Sequence, residues 1–248
     1  MSLSKEAGAL LLKYYDQLEG YEQKGEIDLV TAADQASEAY LVEAISRQFP
    51  NDSILAEEGS NREGTSGWQW IMDPLDGTTN FVHSYPFFMV SIGIKYQGEM
   101  VSGVCYGPYY NELFSAQKGG GAYLNDKQIH VSNTKSLSNS LIATGFPYNR
   151  REIVDELMAP LKQIICTAHG IRRAGAAAYD QCLLAAGRLD GFFERALKPW
   201  DVAAGSLIIR EAGGVITQYD ESPWDIYAPN ILASNGRIHK ELSEAVIP

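Results

Sequence analysis

The segment from Trp68 to Asn80 constrains the fold more than any other part of the sequence. The mostly apolar stretch Trp68 to Met72 runs directly into Asp73-Pro-Leu-Asp-Gly77. An apolar run of that length is typical of a buried strand, and the proline and glycine after it favour a tight turn. The sequence therefore predicts a loop that rises from the core and carries two carboxylates on one side.

Two carboxylates on one short loop repel each other unless a proton or a cation compensates. Hard divalent cations such as Mg²⁺ prefer carboxylate oxygens, so Asp73 and Asp76 indicate a metal site. The backbone N–H groups of Gly77 and Thr78 can cradle a phosphate oxygen beside it. The same residues are also typical of an ordinary surface turn. The apolar segment before them and Phe81 after them favour a loop anchored in the core.

Composition narrows the class of protein. The chain has 248 residues, 45% of them hydrophobic and 21% charged, as in ordinary globular proteins. A net charge of −11 argues against nucleic acid as a partner. It would also repel a phosphorylated substrate, unless bound cations reverse the local field. No apolar run approaches the roughly 20 residues that span a bilayer, and Lys5 and Glu6 interrupt any signal peptide, so we expect a cytoplasmic protein without membrane contact.

Helical and extended patterns alternate along the chain. Helices are predicted at 3–18, from residue 32 onwards, and at 152–165, 176–186 and 201–212, and strands at 53–56, 68–72, 140–144, 190–194 and 215–219. Alternating segments broken by turn residues predict an antiparallel meander over 87–131. No linker-like stretch divides the chain, so we expect one α/β or α+β domain over residues 1–248.

Three more acidic segments stand apart from the scattered surface charge. Glu57 and Glu58 follow a short apolar strand, while Asp34 and Asp201 each precede or begin a helix. Taken singly, a glutamate pair is usually solvated, and an aspartate at a helix N-terminus is explained by capping and by the helix dipole. Together with Asp73 and Asp76, these residues indicate a shared acidic site.

The combination resembles the inositol monophosphatase family. The matching motifs are Glu57-Glu58, Asp73-Pro-Leu-Asp-Gly-Thr-Thr-Asn-Phe81, Trp200-Asp-Val-Ala-Ala-Gly205 and Glu211-Ala-Gly-Gly214. The resemblance implies a layered αβαβα sandwich of two sheets and helices, of the inositol monophosphatase and fructose-1,6-bisphosphatase type, and a homodimer. We expect the N-terminal half, about residues 1–135, to bind metal, and the C-terminal half, about residues 136–248, to bind substrate.

The resemblance also implies roles for individual residues. Two or three Mg²⁺ ions would be held by Glu57, Asp73, the carbonyl of Leu75, Asp76 and Asp201. Catalysis around the attacking water would involve Glu57, Asp34 and Thr78. Substrate would be bound by Asp76, Gly77, Thr78, Gly175, Ala177, Glu194 and Asp201. Lys24 matches a basic residue of a mobile loop, although its spacing to Asp28 is one residue shorter than the family has.

The chemistry implied is metal-assisted hydrolysis of a small phosphate monoester by in-line attack of water. Inositol 1-phosphate or another polyol or sugar phosphate suits a carboxylate at position 194, which accepts hydrogen bonds from hydroxyls. Histidinol phosphate, fructose 1,6-bisphosphate and adenosine 3′,5′-bisphosphate are alternatives. A protein that keeps the phosphatase fold for a regulatory binding role is the alternative from another class.

Overall fold

The computed structural model describes residues 1–15, 22–23, 29–30 and 32–247. The helices are α1 (Ser2–Tyr14), α2 (Ala32–Gln48), α3 (Thr78–Val82), α4 (Val154–Thr167), α5 (Ala177–Ala185), α6 (Pro199–Glu211) and α7 (His239–Val246). The strands are β1 (Glu22–Gln23), β2 (Leu29–Val30), β3 (Ser53–Ala56), β4 (Trp68–Asp76), β5 (Met89–Tyr96), β6 (Glu99–Gly107), β7 (Glu112–Gln117), β8 (Ala122–Leu124), β9 (Lys127–Ile129), β10 (Leu141–Thr144), β11 (Gly170–Arg172), β12 (Gly191–Arg195), β13 (Val215–Thr217) and β14 (Asn230–Ser234).

The strands form two large sheets and one short antiparallel pair, β1 with β2. The seven-stranded sheet has the order β3-β4-β5-β6-β7-β8-β9 and is antiparallel except for the parallel pair β3 and β4. The five-stranded sheet has the order β11-β10-β12-β14-β13, and β10 runs parallel to both of its neighbours. The predicted meander over 87–131 is therefore confirmed as β5 to β9.

Helices separate and cover the two sheets. The first layer is α1 with α2, which pack on one face of the seven-stranded sheet, while α6 and α5 pack on its other face. Helices α5 and α6 also contact strands of the five-stranded sheet, whose outer face carries α4 and α7. One cluster of buried apolar side chains lies between the seven-stranded sheet and α1 with α2, one surrounds α5 and α6 between the two sheets, and one lies on the outer face of the five-stranded sheet. The order of layers is α, β, α, β, α, which confirms the predicted sandwich.

Small residues let α6 lie very close to the seven-stranded sheet. A Cβ atom at Gly93 would stand 2.7 Å from the Cβ of Ala203, and one at Gly103 would stand 2.8 Å from the carbonyl oxygen of Ala204. Neither position tolerates a side chain without moving the helix. The Ala/Gly-rich sequence of α6 therefore fixes the depth at which the N-terminal end of this helix sits.

The structure corrects several element predictions. The loop predicted to begin at Asp73 is wrong, because β4 continues to Asp76 and pairs with β5 across a register shift between these two residues. Helix α4 begins at Val154 instead of residue 152 and includes Pro160. Strands β11 and β14 and helix α7 were not predicted. In β14, residues 230–234 carry polar residues at both ends of a three-residue apolar run, which is a weak strand pattern.

The family match of Lys24, with its spacing to Asp28, concerns residues that lie outside the described part of the chain. Within the described ranges, no helix has both the length and the apolar composition needed to cross a membrane.

Candidate active site

A cavity of about 580 Å³ opens where the end of β4 meets the N-terminal ends of α5 and α6. It is bordered by ten of the residues singled out from the sequence: Glu57, Asp73, Leu75, Asp76, Gly77, Thr78, Gly175, Ala177, Glu194 and Asp201. Residues from both the N-terminal and the C-terminal half of the chain therefore border the same cavity. Asp34, the remaining candidate, is fully buried in α2.

The end of β4 is held in place by hydrogen bonds on several sides. The Leu75 N–H donates to Asp73 Oδ1 at 2.9 Å, and the Thr78 hydroxyl donates to the Leu75 carbonyl oxygen at 3.1 Å. From α2, the Ser37 hydroxyl donates to the Pro74 carbonyl oxygen at 3.0 Å. These contacts fix the backbone between the two aspartates, so their side chains start from defined positions.

Gly77 makes the turn from β4 into α3 possible. Its φ of 94° lies in the left-handed region, where a residue with a side chain is strained. A Cβ atom there would also stand 2.8 Å from the Phe87 carbonyl oxygen and 3.1 Å from the Cβ of Ala176. Glycine is thus required both by conformation and by space.

Asp76 is bound by the N-terminal end of α5. Its Oδ1 accepts the Ala177 N–H at 2.9 Å, and its Oδ2 accepts the N–H groups of Ala178 at 2.8 Å and Tyr179 at 3.2 Å. Burial raises the pKa of Asp76 to about 7, although these three N–H donors pull it in the opposite direction. The N-terminal end of α5 therefore fixes the orientation of this carboxylate.

Asp201 lies in the first turn of α6. Its Oδ2 accepts the Lys198 N–H at 2.6 Å, which caps the helix, and Pro199 occupies the first helical position. Burial raises the pKa of Asp201 to about 7, and the Lys198 N–H bond lowers it in part. The N-cap position suggested for Asp201 by the sequence is wrong, because Lys198 is the N-cap and Asp201 binds its N–H from the third position of the helix. Asp201 also borders the cavity.

Glu57 follows β3 on a turn that is tied to α2. The buried carboxylate of Glu38 accepts the Glu58 N–H at 2.8 Å and the Ser60 N–H at 3.1 Å. Glu57 itself donates its N–H to the Met72 carbonyl oxygen at 3.2 Å. Glu38 was not identified from the sequence, because a glutamate in a helix is usually solvated. Its place four residues after Asp34, on the same face of α2, was the available signal.

The acidic groups around the cavity suit a hard divalent cation. Burial raises the pKa of Asp73 well above its ordinary range, and the charges of Glu57, Asp76, Asp201 and Asp34 raise it further. In the described part of the chain, no three His, Cys, Asp or Glu side chains already converge as a complete ligand set. The donors are nonetheless oxygen atoms with surplus negative charge, which Mg²⁺ prefers and which it would compensate. The residues present therefore fit this ion.

Two further carboxylates, Glu194 and Asp180, border the cavity. Glu194 is buried at the end of β12, and a Cβ atom at Gly145 would stand 2.2 Å from its Oε1. Asp180, on α5, is also buried and borders the cavity, but it was not identified from the sequence. Burial raises the pKa of both carboxyls, while the nearby Arg173 guanidinium lowers them. An aspartate within the apolar run 176–186 was the signal for Asp180.

Basic side chains also reach the cavity. Arg150, Arg173, Arg195 and Lys198 all contribute to its border. Arg195 Nη1 lies 3.2 Å from Glu156 Oε2, and the Arg195 guanidinium stacks over the ring of Tyr219. Arg173 lies over the ring of Phe146. These cations offset part of the negative charge around the cavity.

Comparisons with known proteins agree with this architecture. Inositol-1-monophosphatase of a Synechocystis species is 46% identical over 242 residues, which cover 97% of this chain and 84% of that protein. Nus factor SuhB of Haemophilus influenzae is 40% identical over 248 residues, which cover 99% of this chain and 93% of that protein. The solved structure of inositol monophosphatase from Anabaena superposes with a TM-score of 0.90 at 44% identity, covering 99% of this chain and 92% of that one.

The family relationship extends over the whole chain. The model of the inositol monophosphatase family matches residues 1–248, and the two relatives each cover nearly all of the sequence. The layered fold and the order of the acidic motifs are those that the resemblance implies. The chain belongs to the inositol monophosphatase family.

Proposed function

We propose that this protein hydrolyses a small phosphate monoester with the help of Mg²⁺, and that inositol 1-phosphate or a related polyol phosphate is its substrate. The observation that carries the proposal is the single cavity that Glu57, Asp73, Asp76 and Asp201 border together with Glu194 and Asp180. The naming of a 46% identical relative as inositol-1-monophosphatase supports the choice of substrate.

We assign the metal ligands to the N-terminal half of the chain and to the start of α6. The ligands would be Glu57, Asp73, the Leu75 carbonyl oxygen, Asp76 and Asp201, which border the cavity. Two or three Mg²⁺ ions, when bound, supply a lowered pKa for a coordinated water and neutralise charge on the phosphoryl group and the leaving oxygen.

The protein groups hold the reactants in line. The N–H groups of Gly77 and Thr78, at the turn after β4, would hold phosphoryl oxygens as their charge changes. Glu57 and Thr78 would orient the attacking water from the cavity side, and Asp34 would support Thr78 from α2. No covalent intermediate is required in this scheme.

The C-terminal half would recognise the alcohol part of the substrate. The Glu194 carboxylate, together with Asp76 and Asp201, would accept hydrogen bonds from hydroxyl groups. The backbone of Gly175 and Ala177 contributes the adjacent wall. We also propose that the protein works as a homodimer, as the family resemblance implies.

The test is phosphate release from a panel of monoesters in the presence of Mg²⁺ or of EDTA. We expect inositol 1-phosphate to be cleaved with a higher kcat/KM than histidinol phosphate, fructose 1,6-bisphosphate or adenosine 3′,5′-bisphosphate, and EDTA to stop the reaction. A different best substrate would overturn the substrate assignment alone. Absence of cleavage of every member would overturn the enzymatic proposal.

A second candidate is a binding role that does not depend on catalysis. It is supported by the 40% identical relative that bears the name Nus factor SuhB. The panel separates the two candidates, since a protein with this role alone would leave every ester intact at saturating Mg²⁺.

Replacing Gly145 by alanine should weaken substrate binding through Glu194. The new Cβ would stand 2.2 Å from Glu194 Oε1, so this carboxylate has to move while the backbone stays in place. We expect KM for inositol 1-phosphate to rise at least about tenfold, as for the loss of a charge-assisted hydrogen bond. Steady-state kinetics measures the change.

Two controls accompany the Gly145→Ala variant. Cleavage of p-nitrophenyl phosphate, which has no hydroxyl for Glu194 to bind, should keep its KM. Gly170→Ala, on β11, introduces a Cβ whose nearest neighbour is Leu141 Cδ1 at 3.2 Å. This variant should leave the KM of both substrates unchanged. An unchanged KM for inositol 1-phosphate in Gly145→Ala would contradict the role given to Glu194.

A further inference from the structure

Gln181 links the two helices that carry the acidic groups of the cavity. It lies in α5 and its side chain is fully buried. The Gln181 Nε2 donates to the Ala177 carbonyl oxygen at 3.0 Å and to the Asp201 carbonyl oxygen at 2.9 Å. One amide group therefore bridges the first turn of α5 and the first turn of α6.

Each end of this bridge belongs to a turn that holds a carboxylate. The Ala177 N–H, in the same turn as the carbonyl that Gln181 binds, donates to Asp76 Oδ1. The Asp201 carbonyl belongs to the residue whose own side chain borders the cavity. Asp76 comes from the seven-stranded sheet and Asp201 from α6, so the spacing of their side chains depends on how α5 and α6 are joined.

The amide at position 181 has a cost that an apolar residue would avoid. Its Oε1 is buried and accepts no hydrogen bond from the described residues, and an unsatisfied buried acceptor is unfavourable. A Cβ atom at Gly205 would stand 2.5 Å from this oxygen and 2.8 Å from the Gln181 Cβ, so α6 packs directly against this side chain. Leucine or methionine would fill the same space without an unsatisfied buried acceptor. Packing alone does not explain a glutamine here.

We infer that Gln181 is a positioning residue, which sets the distance between the Asp76 and Asp201 carboxylates by tying the first turn of α6 to α5. This inference rests on the proposed function, in which these carboxylates bind Mg²⁺. It concerns a side chain that touches neither the cavity nor the substrate and acts through the Asp201 backbone. Groups that orient metal ligands in this way typically change metal affinity about 10–100-fold when they are removed.

The test compares Gln181→Met with Leu184→Met. Methionine keeps the length of the glutamine side chain but removes both hydrogen bonds, and Leu184 is a fully buried residue of the same helix. We expect the Mg²⁺ dissociation constant of Gln181→Met, measured by isothermal titration calorimetry, to rise about tenfold. Leu184→Met should stay within about twofold of the original protein, as expected for a volume-conserving change.

A second readout does not depend on metal. In the metal-free protein, hydrogen exchange of the amides at 200–203 should be about threefold to tenfold faster in Gln181→Met than in Leu184→Met, while the melting temperature stays the same or rises. Unchanged exchange, or an unchanged Mg²⁺ dissociation constant, would overturn the inference. If Gln181→Met folds poorly, Gln181→Leu takes its place under the same criteria.

The two proposals fail in different ways. If the original protein binds no Mg²⁺, the proposed function fails, and the exchange rates still show whether Gln181 holds α6 to α5. If the original protein binds Mg²⁺ and Gln181→Met binds it equally well, the positioning role alone is wrong.

Discussion

The Asp73→Asn variant is expected to release phosphate more than about a hundredfold more slowly than the original protein at saturating Mg²⁺. Asparagine keeps the acceptor for the Leu75 N–H, so the backbone turn should survive. It removes the charge at the position where four other acidic groups raise the pKa of the aspartate. Loss of a partner that merely orients a ligand costs about 10–100-fold, so loss of a ligand should cost more.

The control for this change is Asp155→Asn, which removes an exposed aspartate in the first turn of α4. Its phosphate release and its Mg²⁺ dependence should match those of the original protein. Circular dichroism should show the same secondary structure in both variants. Activity of Asp73→Asn within a few fold of the original protein would contradict the metal assignment.

The Asp201→Asn variant is expected to lose activity to a similar extent and, without metal, to become more stable at neutral pH. The side-chain oxygen of the introduced asparagine would still accept the Lys198 N–H, so the cap of α6 is kept. The substitution removes a carboxyl whose pKa burial raises from 3.8 to about 7. A stabilisation of about 1–3 kcal/mol at pH 7.5 is expected, because one pKa unit corresponds to about 1.4 kcal/mol and Asp201 is only partly buried.

The sign of the pH dependence follows from the direction of this shift. Between pH 4 and pH 7 the unfolded chain has released the Asp201 proton, whereas the metal-free folded chain still holds it. Stability of the metal-free protein therefore falls as the pH rises through this window and levels off above it. Asp76, with a pKa of about 7, contributes in the same direction.

Thermal unfolding in EDTA at a series of pH values measures this effect. The melting temperature of Asp201→Asn should decline less with pH than that of the original protein. Adding Mg²⁺ at pH 7.5 should stabilise the original protein more than the variant, since the ion binds the folded state. Equal pH profiles for the two proteins would show that the Asp201 carboxyl does not have the raised pKa assigned to it.

The sequence was most informative where chemistry and local structure depend on neighbouring residues. The helical pattern after residue 200, with an aspartate in its first turn, predicted α6 closely, and the meander followed from alternation and turn residues. The run 73–80 identified the two acidic residues and the glycine of the turn. The prediction that a loop begins at Asp73 was wrong, because pairing of Asp76 with Met89 extends β4 through residues that locally favour a loop.

Residues whose role depends on distant partners could not be found in this way. Glu38 binds amides 20 and 22 positions away, and Gln181 binds a carbonyl 20 residues further on, in a different helix. Asp180 and Arg173 become neighbours of Glu194 only when α5 packs beside β12. A polar residue inside an apolar helix pattern marks such positions, but the pattern does not reveal the partner.

A crystal of the protein grown with Mn²⁺ in place of Mg²⁺ tests the central claim most directly, because anomalous scattering locates this ion. We expect anomalous peaks inside the cavity, each with oxygen ligands from among Glu57, Asp73, Leu75, Asp76 and Asp201. Peaks confined to the protein surface, or none at a Mn²⁺ concentration that supports phosphate release, would contradict the claim.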